Sequence, residues 1–129
     1  MTLPADVLTD RLRRGPLVLD GAMGTELERR GTGRPVPLWS AGALLDAPEV
    51  VAAIHAEYAA AGADILVANT FRTNPRALRA AGRLADGPRL NQLAVGLARR
   101  AAGAHNVIVA ASVAPVEDCY CPERVPVES

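Results

Sequence analysis

At 129 residues the chain is the length of one domain, and with half its residues hydrophobic and 22% charged it is not an intrinsically disordered protein. Fourteen arginines balance fourteen acidic residues and there is no lysine, so no net charge draws it to nucleic acid or anionic lipid, and P-loop and Schiff-base chemistry are excluded. Aromatic residues, at 3%, are too few for a base-stacking or sugar-stacking surface, and two cysteines close together make no disulfide framework.

The first residues carry charges where a signal peptide needs an apolar core, and the most apolar stretch, Val50 to Val67, is interrupted by His55, Glu57, Tyr58, Gly62 and Asp64. A soluble, cytoplasmic protein without membrane or nucleic-acid partners is expected, and the sparing cysteine use agrees.

A first helical pattern precedes Pro16–Asp20 (PLVLD), which reads as a strand. Thr25-Glu26-Leu27-Glu28 then fits a capping box opening a short helix that ends near Gly31. Asp46-Ala47-Pro48-Glu49 opens a longer helix, expected to run to about Ala61 and stop at Gly62, with Val50/Val51, Ile54, Tyr58 and Ala61 on its apolar face. Asp64–Thr70 (DILVANT) is the second strand. Asn74-Pro75 opens a short helix ending at Gly82, and Pro88 a longer one with Leu90, Leu93 and Leu97 on one side and Gly103 at its end. Asn106–Val113 (NVIVAASV) is the third strand. All three runs are continuous and rich in β-branched residues, as in strands buried on both faces of a parallel sheet. Residues 116–129 read as an irregular polar tail outside the sheet.

Polar residues collect where these strands end. Asp20 follows PLVL, Asn69 and Thr70 follow DILVA, and Ser112 follows VIVAA. In parallel α/β folds ligands bind at that edge. In Asp20-Gly21-Ala22-Met23-Gly24-Thr25 a carboxylate leaves a strand, two glycines allow close approach or positive φ, and a helix N-terminus follows. Asp20 suits an ammonium and the helix N–H groups a carboxylate, together a zwitterion such as an amino acid. The same turn also fits a plain strand-to-helix connection in which Asp20 caps local backbone. Asn69 and Thr70 fit either substrate binding or their own loop's backbone. His55 and His105 read as surface or boundary histidines rather than catalytic bases. Cys119-Tyr120-Cys121 reads as exposed thiols, since a tetrahedral zinc site needs more ligands than two cysteines supply. Trp39 fits either packing beneath the first loop or a pocket wall.

These residues resemble a family. LDGAMGTELERRG, PLWSAGALLDAPEVVAAIHAEYAAAGADILVANTF, NQLAVGLARRA and VIVAASVAP, in that order from about Leu17 to Pro115, are similar to the amino-terminal part of the homocysteine S-methyltransferases. The resemblance implies the first three or so β/α units of a (β/α)8 TIM barrel with parallel strands. It implies transfer of a methyl group from a small donor to the homocysteine thiolate, giving methionine. By the same resemblance Asp20, Gly21, Ala22 and Thr25 help bind the amino-acid end, Asn69, Thr70 and Ser112 line the same mouth, and Trp39 sits near the donor. The family's zinc, which lowers the thiol pKa, is held by three thiolates from later in the barrel. Cys119 and Cys121 do not match those motifs, so no metal ligand and no catalytic residue is assigned to this chain.

A barrel of eight units needs about 250 residues. The chain is therefore expected to be a truncated part, incomplete as a catalyst. The alternatives are a non-catalytic remnant, a half-barrel that pairs with a second chain, and a small α/β amino-acid-binding module.

Overall fold

The computed structural model describes residues 5–33, 35–103, 105–115, 117 and 119–126. Helix α1 (Ala5–Arg14) carries Asp6 in its first turn and Arg11, Arg13 and Arg14 in its last, the arrangement its dipole favours. Arg11 anchors it, with Nη2 donating to Asp64 Oδ1 at 2.8 Å and Nη1 to the Asn106 carbonyl at 3.2 Å. Asp64 and Asn106 precede the two strands of the sheet, β1 (Ile65–Ala68) and β2 (Ile108–Ala111), so α1 lies across the strands' amino ends. The strands pair in parallel, Ile65 against Ile108 through Ala68 against Ala111.

The expected first strand is reduced to a single parallel bridge, Leu19 to Ile65. The cause is Asp64. Its Oδ2 takes the Val18 N–H at 3.0 Å, while the Asp64 and Ile65 N–H groups both turn to the Val18 carbonyl. A side chain thus ends the ladder before it lengthens. Nor is this segment buried on both faces: Val18 is 59% and Leu19 60% exposed.

Helices α2 (Met23–Arg29), α3 (Ala43–Asp46) and α4 (Pro48–Ala60) precede β1, and α5 (Pro75–Ala80) and α6 (Gly87–Ala102) connect it to β2. Pro48 stands in the first turn of α4, where its missing N–H costs nothing, and Gly62 at φ +102° turns the chain out of it. The Asn74 side chain accepts from the Ala77 N–H and caps α5. The capping box expected at Thr25–Glu28 does not form. The helix begins three residues earlier, at Met23 with Ala22 rather than Thr25 as cap residue, so Thr25 is already inside it.

Helices α4 and α6 pack on each other and on the sheet. Leu27, Leu44, Val51, Ile54, Leu78, Leu90 and Leu97 form the main core, and Ala59, Ala63, Leu66 and Ala102 a smaller cluster against the strands. The buried side of α4 is rotated from expectation. Ala61 is exposed, whereas Ala59 and His55 are buried. His55 is not a surface residue: it has no exposed area, and neither ring nitrogen has a hydrogen-bond partner among the described residues. Burial lowers its pKa to about 4, so it is neutral at pH 7. His105 is exposed, as expected. In the tail, Pro122–Arg124 form one turn of 3-10 helix and Arg76 pairs with Glu117; Val116, Asp118 and residues 127–129 lie outside the described residues. No helix among the described residues is long and apolar enough to cross a membrane.

Candidate functional site

The Asp20 main chain donates to the Ile65 carbonyl at 2.9 Å, and its carboxylate Oδ2 accepts from the Val67 N–H at 2.9 Å. Asp20 therefore bridges to the neighbouring strand rather than capping its own turn. Burial pushes its carboxyl above the usual range, and the Val67 N–H opposes that more weakly. A carboxylate in this state is stabilised by any cation that enters beside it.

The glycines after Asp20 are explained by neighbours rather than by φ. Neither Gly21 nor Gly24 is among the positive-φ glycines. A Cβ on Gly21 would lie 2.6 Å from Tyr58 Oη, and one on Gly24 2.6 Å from Trp39 Cζ2. The two aromatic rings thus press on the turn. Tyr58 Oη donates to the Ala22 carbonyl at 3.2 Å, and Trp39 Nε1 donates to Glu28 Oε1 at 2.8 Å. Glu28, expected to reach back to the helix start, orients the indole instead. Trp39 itself has φ +40°, a left-handed conformation uncommon for a bulky residue and often found at binding sites. No side chain caps the N-terminus of α2.

At the end of β1, Asn69 is buried and its Nδ2 donates to the Ser40 carbonyl at 2.8 Å, fixing the 3-10 turn Trp39–Gly42 against the strand. Thr70 has a different role. Its Oγ1 donates to the Ser112 carbonyl and accepts the Ser112 N–H, both at 2.8 Å. It ties together the carboxyl ends of β1 and β2.

An open cleft of about 410 Å³ results. Asp20, Gly21, Ala22, Thr25, Trp39, Asn69 and Ser112 all line it. Thr70 does not; it borders a larger groove of about 700 Å³ between α5, α6 and the end of β2. Met23, Ser40 and Phe71 also line the Asp20 cleft and were not singled out from the sequence. Phe71 follows Asn69-Thr70 directly, and only the fold shows that it lines the same cleft as the turn after Asp20. Among the described residues no group of three or more His, Cys, Asp or Glu could hold a metal ion. Cys119 and Cys121 are unpaired and do not line the Asp20 cleft. The described residues therefore do not compose a metal site.

The chain is similar to one known family over most of its length. The family model for homocysteine S-methyltransferase matches residues 17–129. The Bacillus subtilis homocysteine S-methyltransferase YbgG is 41% identical over 86 residues, which are 66% of this chain and 27% of that protein. The Escherichia coli homocysteine S-methyltransferase is 37% identical over 108 residues, 77% of this chain and 35% of that protein. Crystal structures of the Escherichia coli homocysteine methyltransferase MmuM superimpose with TM-scores of 0.75 (oxidized form, 35% identity) and 0.74 (metallated form, 34% identity). They cover 88% and 84% of this chain and 41% of that one. The chain thus spans about a quarter to two fifths of the length of these relatives, and its parallel β/α units are part of a TIM barrel. A cleft built on Asp20 at the ends of parallel strands, within a match that runs from residue 17 onward, has one consistent reading: the chain belongs to the homocysteine S-methyltransferase family.

Proposed function

We propose that this chain forms the amino-acid-binding part of a homocysteine S-methyltransferase. The observation that carries the reading is the partly desolvated Asp20 carboxylate, one oxygen on Val67 N–H, lining a cleft beside an uncapped helix start. Asp20 holds the substrate ammonium, and the N–H groups at the start of α2 orient its carboxylate. Asn69 keeps the Trp39 turn against the strand, and Trp39 walls the donor side. In the reaction the homocysteine thiolate, its proton already lost, forms a bond from sulfur to the donor's methyl carbon. The bond from that carbon to the donor breaks, its electron pair leaving with the donor, and the product is methionine.

Activation of the thiol by zinc is a role we assign to no residue of this chain. The remaining β/α units of the barrel supply it, whether from the same polypeptide or from a second chain. The exposed apolar edge favours such a completion, with Leu19 60% and Val113 91% exposed. The unpaired cysteines suit a reducing compartment, and we place the protein in the cytoplasm.

The test is calorimetric titration of the chain with L-homocysteine. Asp20→Asn keeps an acceptor for Val67 N–H and removes the charge, so affinity should fall roughly tenfold to a hundredfold, the value of a charge-assisted hydrogen bond. The des-amino analogue 4-mercaptobutyrate should lose as much against the unaltered chain. Equal affinity of Asp20→Asn, or of the analogue, would overturn the assignment.

A further inference from the structure

The arginines of this chain commonly meet a carboxylate: Arg11 meets Asp64, Arg30 meets Glu26 and Glu57, and Arg83 and Arg89 share Asp86. Arg72 meets none among the described residues, although it is only partly exposed and its Nε is buried without a hydrogen-bond partner. Its guanidinium carbon lies 5.6 Å from the Phe71 ring centroid, a contact that uses none of its N–H donors.

Arg72 lines a cleft of about 180 Å³ between Phe71, the Val36-Pro37 turn, α5 and the strand-to-tail segment. Arg76 and Arg124 line it as well, and Glu117 is the one acidic residue among its described lining. Glu117 already sits on Arg76, so the cleft accepts a carboxylate that the chain itself supplies. Arg124 in turn faces Glu123 at 4.0 Å, so of the three guanidinium groups Arg72's alone meets no carboxylate among the described residues. The loop bearing Arg72 is held in shape. Asn74 Nδ2 donates to the Phe71 carbonyl at 2.9 Å, and Thr73 Oγ1 donates to the Thr70 carbonyl at 3.0 Å. An always-charged, partly buried guanidinium with a buried and unused N–H, on a fixed loop, is a preorganised anion receptor.

We propose that this cleft is a carboxylate seat, in which Arg72, the guanidinium there that no carboxylate of the described residues meets, takes the carboxylate of a small molecule through its planar fork. Phe71 walls this cleft and the Asp20 cleft alike, so a molecule seated on Arg72 lies next to bound homocysteine.

The seat is tested on the full chain without reference to turnover. The Arg72 Nε–H resonance is followed by nitrogen-15 NMR during titration with sodium acetate, acetamide, chloride and inorganic phosphate at constant ionic strength. Acetate should shift it saturably, whereas acetamide and chloride should not. Arg72→Gln, followed through the Arg76 Nε–H, should weaken acetate at least tenfold, and Arg72→Lys should weaken it less. Arg79→Gln, on α5 but outside this cleft, should leave it unchanged. An acetate response that never saturates, matches chloride, or survives in Arg72→Gln overturns the proposal. Phosphate displacing acetate at equal concentration also overturns it, by assigning the seat to phosphate. Homocysteine titrations on the same samples keep the two readings apart, since loss of the acetate response leaves homocysteine binding through Asp20 intact, and the converse holds for Asp20→Asn.

Discussion

His55 gives the chain a specific weakness to acid. A histidine whose folded pKa lies below its unfolded one is held neutral by the fold. Its contribution to stability is present in full above the unfolded pKa and declines as pH falls through that value toward the folded one. Here the two are 6.5 and about 4, set by burial alone. At roughly 1.4 kcal/mol per unit, protonation of the unfolded chain withdraws about 3 kcal/mol between about pH 6.5 and 4, of which about 2 kcal/mol is gone by pH 5. Replacement by leucine removes both the titration and two buried nitrogens that lack partners. His55→Leu should therefore lie within about 1.5 kcal/mol of the unaltered chain at pH 7.5. At pH 5 it should have gained about 2 kcal/mol relative to it. Urea unfolding of both proteins at half-unit steps from pH 8 to 5 measures this. Asp20, Glu57 and Asp86 titrate in both proteins and drop out of the difference. A difference that stays constant across the range would refute the reasoning, because it would mean that the imidazole is solvated or partnered in the folded chain.

Other perturbations test the frame of the site. Thr70→Val keeps the shape but strands the Ser112 N–H and carbonyl, and should cost about 1–3 kcal/mol in urea unfolding. Gly24→Ala should force Trp39 aside, costing about 1–3 kcal/mol and shifting the emission of the chain's single tryptophan; Gly96→Ala in α6, where the nearest atom to a new Cβ is 4.0 Å away, should instead stabilise by about 0.5–1 kcal/mol. Asp64→Ala releases both Arg11 and the Val18 N–H, so hydrogen exchange at Val18 and Asp20 should accelerate at least tenfold while Leu66 and Ala110, whose N–H groups face each other's strand, keep their protection.

Strand and helix positions were readable because local chemistry decides them. The continuous apolar run Ile65–Ala68, the Asn74-Pro75 start and the Gly62 stop each depend on residues adjacent in sequence. What escaped depends on partners far along the chain. Nothing in PLVLD shows that the Asp64 carboxylate will take the Val18 N–H and shorten the ladder. The apolar face of α4 was displaced by one position because α6 packs there, drawing in His55 and leaving Ala61 outside. Thr25 and Glu28 carry a capping-box pattern, yet Trp39, eleven residues beyond Glu28, claims its carboxylate. In each case a tertiary contact outcompeted a local one.

The same distinction runs through the site. Asp20, Asn69 and Ser112 were legible because a strand's carboxyl end is a position on a line, and three such ends in a parallel sheet fall side by side. Their roles were not legible, since role depends on which donor each side chain meets. Thr70 and Ser112 differ in sequence only by strand, but the Thr70 hydroxyl spends its bonds on the Ser112 main chain, leaving Ser112 to the cleft and Thr70 to the clamp. Gly21 and Gly24 lie where a ligand's approach was the obvious reason for glycine. The aromatic rings of Tyr58 and Trp39 already fill that space. The turn after Asp20 is therefore held in shape by side chains from α4 and the Trp39 turn, beside a carboxylate that folding has already partly desolvated.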